Sequence, residues 1–468
     1  MKNLTSNSKR RLMENKEKRK ERFDSRFGMI MAMAGSAVGL GNLWRFPFLA
    51  AQNGGGAFIF VYLLLLLTIC LPVLMTEITL GRKCRSNVTR VYDNLGAPRW
   101  RWAGFLTLLT PIVIMAFYTV VGGWSVKYLI QACAFRFTDP MADYAGQFGG
   151  FIGATWEPLI YTAIFLLITA LANFGGVRNG IEKFSKPMMT VLSITIILVA
   201  IRSLTLPGAS EGTRYLLIPD FAKIDGKVLL TALGQAFMSL SIGIGILLTY
   251  GSYVKTREDI AMTSISTGLI DTLFAIIAGL AIIPAVYAIA YMNGTEPAVN
   301  AGAGLVFITL PGVFASMPGG SVIAILFFLA LLLAAVTSAI SMLEVIVRYF
   351  IEEWRMSRNG AVTASMILII VLGCVCSLSQ GMLGEFRILG NNIFDFFDVI
   401  SSDVLITVGS LIMVLFAGWR VKKEDFMDEL SGHGASHTPT WLLKYVYFMV
   451  RWVAPAIIIV IMLSNILI

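Results

Sequence analysis

Several polar side chains lie inside long apolar stretches, where each must face other protein groups. Asn42 and Arg45 lie in the first stretch, Glu77 in the second and Asp271 in a later one. Polar and charged groups are costly in hydrocarbon, so they mark functional positions and pair with one another. Hydroxyl groups complete the set, at Ser239, Ser241, Thr337 and Ser338. Such oxygens suit a small hard cation, and sodium fits at least as well as calcium or magnesium, because few carboxylates converge.

The first apolar stretch also predicts a break in its own helix. Residues 35–47 hold three glycines and a proline. An interior Gly costs about 1 kcal/mol of helix stability relative to Ala, and Pro about 3 kcal/mol. A break at membrane depth is tolerated only where it faces protein or a water-filled cavity. There, bare carbonyls and helix ends can hold ions and charged ligands.

The elements that must position these groups are membrane helices. Of the 468 residues, 57% are hydrophobic and 14% are charged, and the mean hydropathy is +0.77. This composition predicts a polytopic membrane protein, because a soluble protein of this size needs more charge on its surface. Spans of about 20 apolar residues are expected near 27–51, 57–81, 102–135, 157–173, 184–201, 228–253, 260–291, 320–350, 361–378, 392–418 and 440–466. These are eleven helices.

The net charge of +9 is concentrated in the N-terminal tail and in alternate short loops. By the positive-inside rule, the N-terminus is expected in the cytoplasm and, after eleven spans, the C-terminus outside. The charge suits anionic lipid headgroups better than nucleic acid. No phosphate-binding loop and no nucleophile elbow occur in the sequence, so neither ATP-driven transport nor an enzyme is expected.

The spacing of glycines indicates an internal repeat. Gly243-Ile-Gly245 follows Gly39-Leu-Gly41 by 204 residues, and each lies in the first helix of a five-helix block. Matching broken helices in two halves are typical of transporters with inverted repeats. We therefore expect a basic tail (1–25), two five-helix repeats (26–202 and 203–420, the second with an outer hairpin near 296–316), and a loop with a last helix (421–468).

These motifs resemble the neurotransmitter:sodium symporters, particularly their bacterial amino-acid transporters. The resemblance spans residues 20–420 and is strongest at 25–28, 34–47, 53–58, 234–245, 250–253 and 337–338. It implies an all-α fold of five plus five helices with helices 1 and 6 broken. It also implies a sodium-coupled symporter in the cell membrane.

The resemblance implies two sodium ions beside one substrate. The first site would use the Ala37 carbonyl, the Asn42 side chain, Ser239 and Asp271, with the substrate carboxylate. The second would use the carbonyls of Gly35, Val38 and Ala334 and the hydroxyls of Thr337 and Ser338. Asp271 replaces the Asn common in this family, and Ala275 stands where chloride-dependent members have Ser. We therefore expect transport that does not require chloride.

The substrate expected from the resemblance is an α-amino acid. Amine transporters of the family carry an acid at the position of Gly39, whereas Gly leaves the site without that charge, so the substrate is expected to bring its own carboxylate. Tyr118 would hydrogen-bond that carboxylate. The site would be lined by Ala37, Gly39, Gly41, Ile114, Tyr118, Met238, Ser241, Ile244, Ser338 and Met342. This lining favours an apolar or aromatic side chain, although flexible Met238 replaces the Phe that usually covers the substrate.

Charged pairs are expected to close the two ends of the path. Arg45 could pair with Asp398 or Asp395 outside. Inside, Glu352 would pair with Lys20, which is a weaker bidentate partner than Arg, and Tyr253 would steady that pair. Glu77 is expected to satisfy backbone amides that the breaks free.

Two other functions stay open at this point. A proton-coupled amino-acid carrier would use Asp271 as its titrating group. A channel or a sensor that does not transport could share the same scaffold. The expected partners are a small amino acid and membrane lipids, not nucleic acid.

Overall fold

The chain is helical throughout the part described here, residues 21–297, 304–436 and 438–467 of a computed structural model. Within these residues, nine helices are long and apolar enough to cross a membrane, and one bent pair adds a tenth. Two shorter helices that flank a second break complete eleven crossing segments. In chain order they are α1 (Arg26–Ala37 and Gly41–Gln52), α2 (Gly56–Cys84), α3 (Pro98–Cys133), α4 (Trp156–Phe174), α5 (Val177–Leu204), α6 (Gly226–Ser239 and Ile246–Gly251), α7 (Ile260–Asn293), α8 (Gly320–Glu353), α9 (Arg358–Leu378), α10 (Ile393–Trp419) and α11 (Thr440–Leu463).

Local sequence signals explain where several of these helices begin. Ser25, Asp259 and Ser357 accept hydrogen bonds from backbone amides in the first turns of α1, α7 and α9. Such N-caps satisfy donors that the first turn leaves unpaired. Between the caps, large apolar side chains such as Leu64, Leu67 and Val371 remain exposed, as expected of surfaces that contact lipid.

The two broken helices are enclosed by the unbroken ones. The first half of α1 packs against α5, α7 and α8, whereas both halves of α6 pack on α2. Small residues allow close approach: a Cβ on Gly81 would clash with the backbone of Leu248, and one on Gly251 with the backbone of Ile78. Helices in membranes use such small residues to bring their backbones together. The halves of α1 and α6 therefore meet near the centre of the bundle.

Both predicted helix breaks are confirmed. The halves of α1 are bent by 56°, and Val38 between them has an extended backbone with ψ of 95°. In α6 the break covers residues 240–245, where Ser241, Gly243 and Gly245 all have positive φ. Glycine adopts this left-handed conformation without strain, but Ser241 does so with φ of 55°, which marks a functional position.

The region expected to form an outer hairpin near 296–316 contains a short helix, Leu305–Ser316; residues 298–303 lie outside the description. Its Phe307 carbonyl accepts a 2.9 Å hydrogen bond from the Tyr128 hydroxyl of α3. Phe307 also packs edge-on against Trp44 of α1. The short helix thus covers the end of the bundle opposite to the start of α1. We name the end where α1 begins the basic end, because the short loops rich in Arg and Lys lie there.

Candidate functional site

A buried carboxylate on α7 lies beside the break in α1. Asp271 Oδ1 accepts a 2.8 Å hydrogen bond from the Asn42 side-chain amide, and Oδ2 accepts a 2.7 Å bond from the Ser239 hydroxyl. The Asn42 amide also lies 3.2 Å from Ser239 Oγ. The Tyr62 hydroxyl of α2 donates to Asp271 Oδ2 at 3.4 Å. All four side chains are buried, so the cluster holds amide, hydroxyl and carboxylate oxygens in a region of low polarity.

A second group of oxygens joins α1 to α8. The Ser338 hydroxyl lies 3.4 Å from the carbonyl oxygens of both Gly35 and Val38. The Thr337 hydroxyl donates to the Ala334 carbonyl at 3.0 Å, and its Cβ faces Gly35 closely. The five residues of the expected second sodium site therefore converge. Neutral carbonyl and hydroxyl oxygens in this number suit a hard cation of low charge.

Between these two groups lies a cavity of about 380 Å³. It is lined by every residue of the expected substrate site: Ala37, Gly39, Gly41, Ile114, Tyr118, Met238, Ser241, Ile244, Ser338 and Met342. Its wall also includes Asn42 and Ser239 from the first oxygen cluster. A concave, largely apolar space with a few converging polar groups is the usual form of a small-molecule site.

The polar wall of the cavity is formed by Gly39, Tyr118 and Ser338. The buried Tyr118 hydroxyl has no well-formed hydrogen bond within the described residues. A Cβ on Gly39 would lie 2.7 Å from Ser338 Oγ and 3.3 Å from the Tyr118 hydroxyl. The second half of α1 begins at Gly41, and the start of a helix favours negative charge. This wall can therefore receive a carboxylate, but only while residue 39 has no side chain.

Glu77 of α2 holds the break in α6. Its Oε1 accepts a 2.7 Å hydrogen bond from the backbone amide of Gly243. Gly243 has φ of 82° and also approaches the Ser410 side chain of α10 closely. The amides of Leu240, Ser241 and Ile242 still bond to carbonyls of the first half of α6. The Gly243 amide donates to Glu77 instead, so this buried carboxylate satisfies a backbone donor that the break frees.

Arg45 stands on the side of the cavity away from the basic end. Its guanidinium contacts the Met238 sulfur, and it forms no ion pair with any residue of the described ranges. Asp398 and Asp403 of α10 are the carboxylates close enough to act on its charge. Asp395, the other expected partner, instead exchanges hydrogen bonds with Asn392 at the start of α10, and it does not line the cavity.

The family model for the sodium:neurotransmitter symporters matches residues 20–143 and 150–468. The chain belongs to the sodium:neurotransmitter symporter family. This is a family of transporters rather than enzymes, and the helices described above make the symporter a multi-pass membrane protein.

Two bacterial proteins are similar to the symporter over nearly their whole length. It is 34% identical to YhdH of Bacillus subtilis (strain 168), an uncharacterized sodium-dependent transporter, over 96% of this chain and 98% of that protein. It is 34% identical to an uncharacterized sodium-dependent transporter of Haemophilus influenzae, over 97% and 100% of the two chains.

A solved structure gives the same fold. The crystal structure of MhsT in complex with L-phenylalanine superimposes with a TM-score of 0.85 at 40% sequence identity, covering 95% of this chain and 99% of that one. The all-helical fold with two broken helices predicted for the symporter is therefore confirmed.

At the basic end of the symporter, a network of polar contacts is centred on Glu344 of α8. Its carboxylate pairs with Arg358 of α9 at 2.5 Å and accepts a 2.7 Å hydrogen bond from the Tyr253 hydroxyl. Arg358 also reaches Glu21, which precedes α1, at 2.9 Å. Burial raises the pKa of the Glu21 carboxyl, although Arg358 opposes this. One network thus connects the segment before α1 with α6, α8 and α9.

Glu352, the expected inner acid, belongs to a neighbouring part of this network. It pairs with Arg348 one turn earlier at 2.8 Å and accepts a 2.7 Å bond from the Asn87 backbone amide. The Arg348 guanidinium lies 4.4 Å from the centre of the Tyr253 ring. Lys20, the expected partner of Glu352, lies outside the described residues.

Sequence reasoning did not name several residues of the site. Tyr62 looked like an ordinary core aromatic of α2. Glu344 and Arg348 were visible as charges within an apolar helix, a signal that could have found them. Asp403 was likewise visible as a charge within an apolar stretch. Arg358 gave no such signal, since its role depends on which helices lie next to one another.

Proposed function

We propose that this symporter carries an apolar or aromatic α-amino acid into the cell together with sodium, by alternating access and without a chloride requirement. The observation that carries the proposal is the position of Asp271. Its buried carboxylate lies at hydrogen-bond distance from Asn42 and Ser239, which line the cavity beside the polar wall of Gly39, Tyr118 and Ser338. A fixed negative charge there neutralises a bound cation.

Two sodium ions fit the two oxygen groups. Asn42, Ser239, Asp271 and the Ala37 carbonyl would hold the first, and the substrate carboxylate would complete its shell. Gly35, Val38, Ala334, Thr337 and Ser338 would hold the second. Sodium and substrate would then bind cooperatively, because the carboxylate of the substrate is itself a ligand of the first ion. With the negative charge supplied by Asp271, no chloride ion is needed for balance.

The shape of the cavity supports an amino acid with an apolar side chain. The substrate carboxylate would face Gly39, the Tyr118 hydroxyl and the first amides of the second half of α1. Its side chain would lie among Ile114, Ile244 and Met342, which are buried apolar residues of the lining. The complex of MhsT with L-phenylalanine supports the same substrate class.

Access would alternate between the two ends. At the basic end, the network of Glu344, Arg358 and Tyr253 closes the path, whereas Arg45 at the opposite end is not paired with Asp398. We place the basic end, with the N-terminus, in the cytoplasm of a cell whose plasma membrane holds the protein, and the C-terminus outside. Substrate from outside the cell would enter past Arg45. Opening of the basic end would then release it into the cytoplasm.

Binding to the purified protein tests this proposal. Labelled L-phenylalanine should bind in sodium chloride and equally in sodium gluconate, but not in potassium or choline salts. Competition by each of the 20 amino acids should show the strongest displacement by apolar and aromatic ones. Asn42→Ala should weaken both sodium and substrate binding. Binding that is equal without sodium would reject the proposal.

A further inference from the structure

The wide turn in α10 places two carboxylates on one face of that helix. Residues Ile400–Leu405 form a π-helical turn, in which the Ile406 amide bonds to the Ser401 carbonyl five positions back. In an α-helix, positions five apart point about 140° away from each other. A π-helical turn brings such positions close to the same face, and these turns are frequent at functional sites. Asp398 and Asp403 are therefore both directed toward the cavity wall, which both of them line.

Arg45 lies opposite these carboxylates in a π-helical turn of its own, Gly41–Arg45. It is half-buried, and both Asp398 and Asp403 act on its charge. Neither carboxylate forms an ion pair with it within the described ranges; the guanidinium instead contacts the Met238 sulfur. Arg45 thus lies within the influence of two carboxylates and is paired with neither in the described ranges.

A side cavity of about 290 Å³ is lined by one of the two carboxylates and not by the other. It lies beside the central cavity and is lined by Leu49, Lys227, Thr231, Phe237 and Ile461, among others. Arg45, Met238 and Asp403 line both cavities, whereas Asp398 lines the central cavity and not the side cavity. The Arg45–Met238 contact therefore lies where the two spaces adjoin, together with Ser402 and Ile406, and Asp403 borders both spaces.

We propose that Arg45 is a latch with two positions, in which Asp398 holds it over the central cavity and Asp403 holds it aside in the side cavity. The proposal rests on the proposed function, since the central cavity is the substrate site. The two carboxylates compete for one guanidinium, so removal of either one shifts the latch toward the other. Met238, with a flexible and polarizable side chain, guides the guanidinium between them.

Other groups near Asp403 are consistent with this role. Lys227 lines the same side cavity and forms no ion pair with Asp403 within the described ranges. The backbone carbonyl of Asp403 accepts a 2.6 Å bond from the Thr407 hydroxyl, but its carboxylate has no hydrogen bond to a residue in the described part of the chain. Its carboxylate is therefore available to Arg45 rather than committed to the helix.

The latch predicts opposite effects for two matched substitutions. In sodium, labelled L-phenylalanine should dissociate several-fold faster from Asp398→Asn than from the unaltered protein, because the latch then rests in the open position. It should dissociate several-fold more slowly from Asp403→Asn, because only the closed position remains. Asp395→Asn, at the start of the same helix, should leave the rate unchanged. Faster or unchanged dissociation from Asp403→Asn would overturn the proposal.

A readout that needs no substrate separates this proposal from the proposed function. An Ile114→Cys reporter in the central cavity should react with a water-soluble thiol reagent faster in the Asp398→Asn protein and slower in the Asp403→Asn protein, as read by mass spectrometry of the labelled peptide. If L-phenylalanine does not bind, the proposed function fails while the reporter still decides the latch. If Asp403→Asn does not fold, Asp403→Ser serves instead. Equal reactivity in the two variants would reject the latch.

Discussion

The Asn42 side chain, in the break of α1, donates a 2.8 Å hydrogen bond to the Asp271 carboxylate of α7. The broken helix α1 is thereby joined to a carboxylate on an unbroken helix. Both groups are buried, and a buried charge is costly unless it is paired. A cation bound between them would reduce that cost, which couples the conformation of α1 to cation binding.

Replacing Asp271 should therefore weaken sodium binding more than it weakens the fold. Asp271→Asn preserves the shape but removes the charge, and loss of a charged contact of this kind costs about 1.5–3 kcal/mol. We expect the sodium concentration for half-maximal substrate binding to rise about tenfold or more. Isothermal or radioligand titration with sodium measures this.

The matched control for that substitution is Ser264→Ala on the same helix. Its buried hydroxyl has no hydrogen-bond partner within the described residues, so its loss should leave the sodium dependence unchanged. An Asp271→Asn protein with the sodium affinity of the unaltered one would show that this carboxylate does not neutralise the cation.

Two glycines at the break of α1 and directly after it allow a test of the polar wall of the cavity. A Cβ on Gly39 would lie 2.7 Å from Ser338 Oγ, whereas one on Gly41 would meet nothing within 4 Å. Gly39→Ala should therefore reduce substrate affinity by about fivefold to 100-fold, since one displaced polar contact costs about 1–3 kcal/mol. Gly41→Ala should have little effect. Equal loss in both variants would indicate a general effect on the break, not an obstructed carboxylate site.

A substitution at Thr337 tests whether the second oxygen group binds a sodium ion. Thr337→Val removes one hydroxyl near Gly35 and Ala334 and keeps the branched shape. If this group binds the second sodium ion, the dependence of substrate binding on sodium should lose its cooperativity, with a Hill coefficient that falls toward one. Thr249→Val is the control, because the buried Thr249 hydroxyl has no hydrogen-bond partner in the described ranges. Unchanged cooperativity in Thr337→Val would place the second ion elsewhere.

Glu344 tests closure of the basic end. Glu344→Gln weakens the contacts to Arg358 and Tyr253 at 2.5 Å and 2.7 Å, which should destabilise the closed state by about 1–3 kcal/mol. We expect a lower Tm and faster labelling of a cavity cysteine from the basic end. The exposed Glu424→Gln on the helix Lys423–Leu430 should change neither property. Normal labelling in Glu344→Gln would mean that this network does not hold the basic end closed.

The sequence was informative wherever a residue's chemistry conflicted with its surroundings. Three glycines and a proline in an apolar stretch predicted the break in α1, and stranded Asn42, Glu77 and Asp271 predicted the groups around it. The resemblance to a known family then supplied the lining of the cavity. The spans themselves followed from length and hydropathy, with boundaries that differ by several residues, as at the start of α5.

Contacts that depend on helix packing were beyond the sequence. Nothing in the amino-acid sequence shows that Arg358 of α9 pairs with Glu344 of α8 and with Glu21 before α1. The π-helical turn that directs Asp403 toward Arg45 has no sequence signature, since its residues also fit an ordinary α-helix. For this reason Asp395 and Asp398, one turn apart, were the expected partners of Arg45, and Asp403 was not.

Uptake into proteoliposomes driven by a sodium gradient is the decisive measurement for sodium-coupled amino-acid transport by this protein. The purified protein is reconstituted, and labelled L-phenylalanine uptake is followed with sodium, potassium or choline outside and with equal pH on both sides. We expect accumulation above the external concentration with sodium alone, unchanged when gluconate replaces chloride. Equal uptake without sodium, or accumulation driven by a pH gradient in sodium-free buffer, would contradict it.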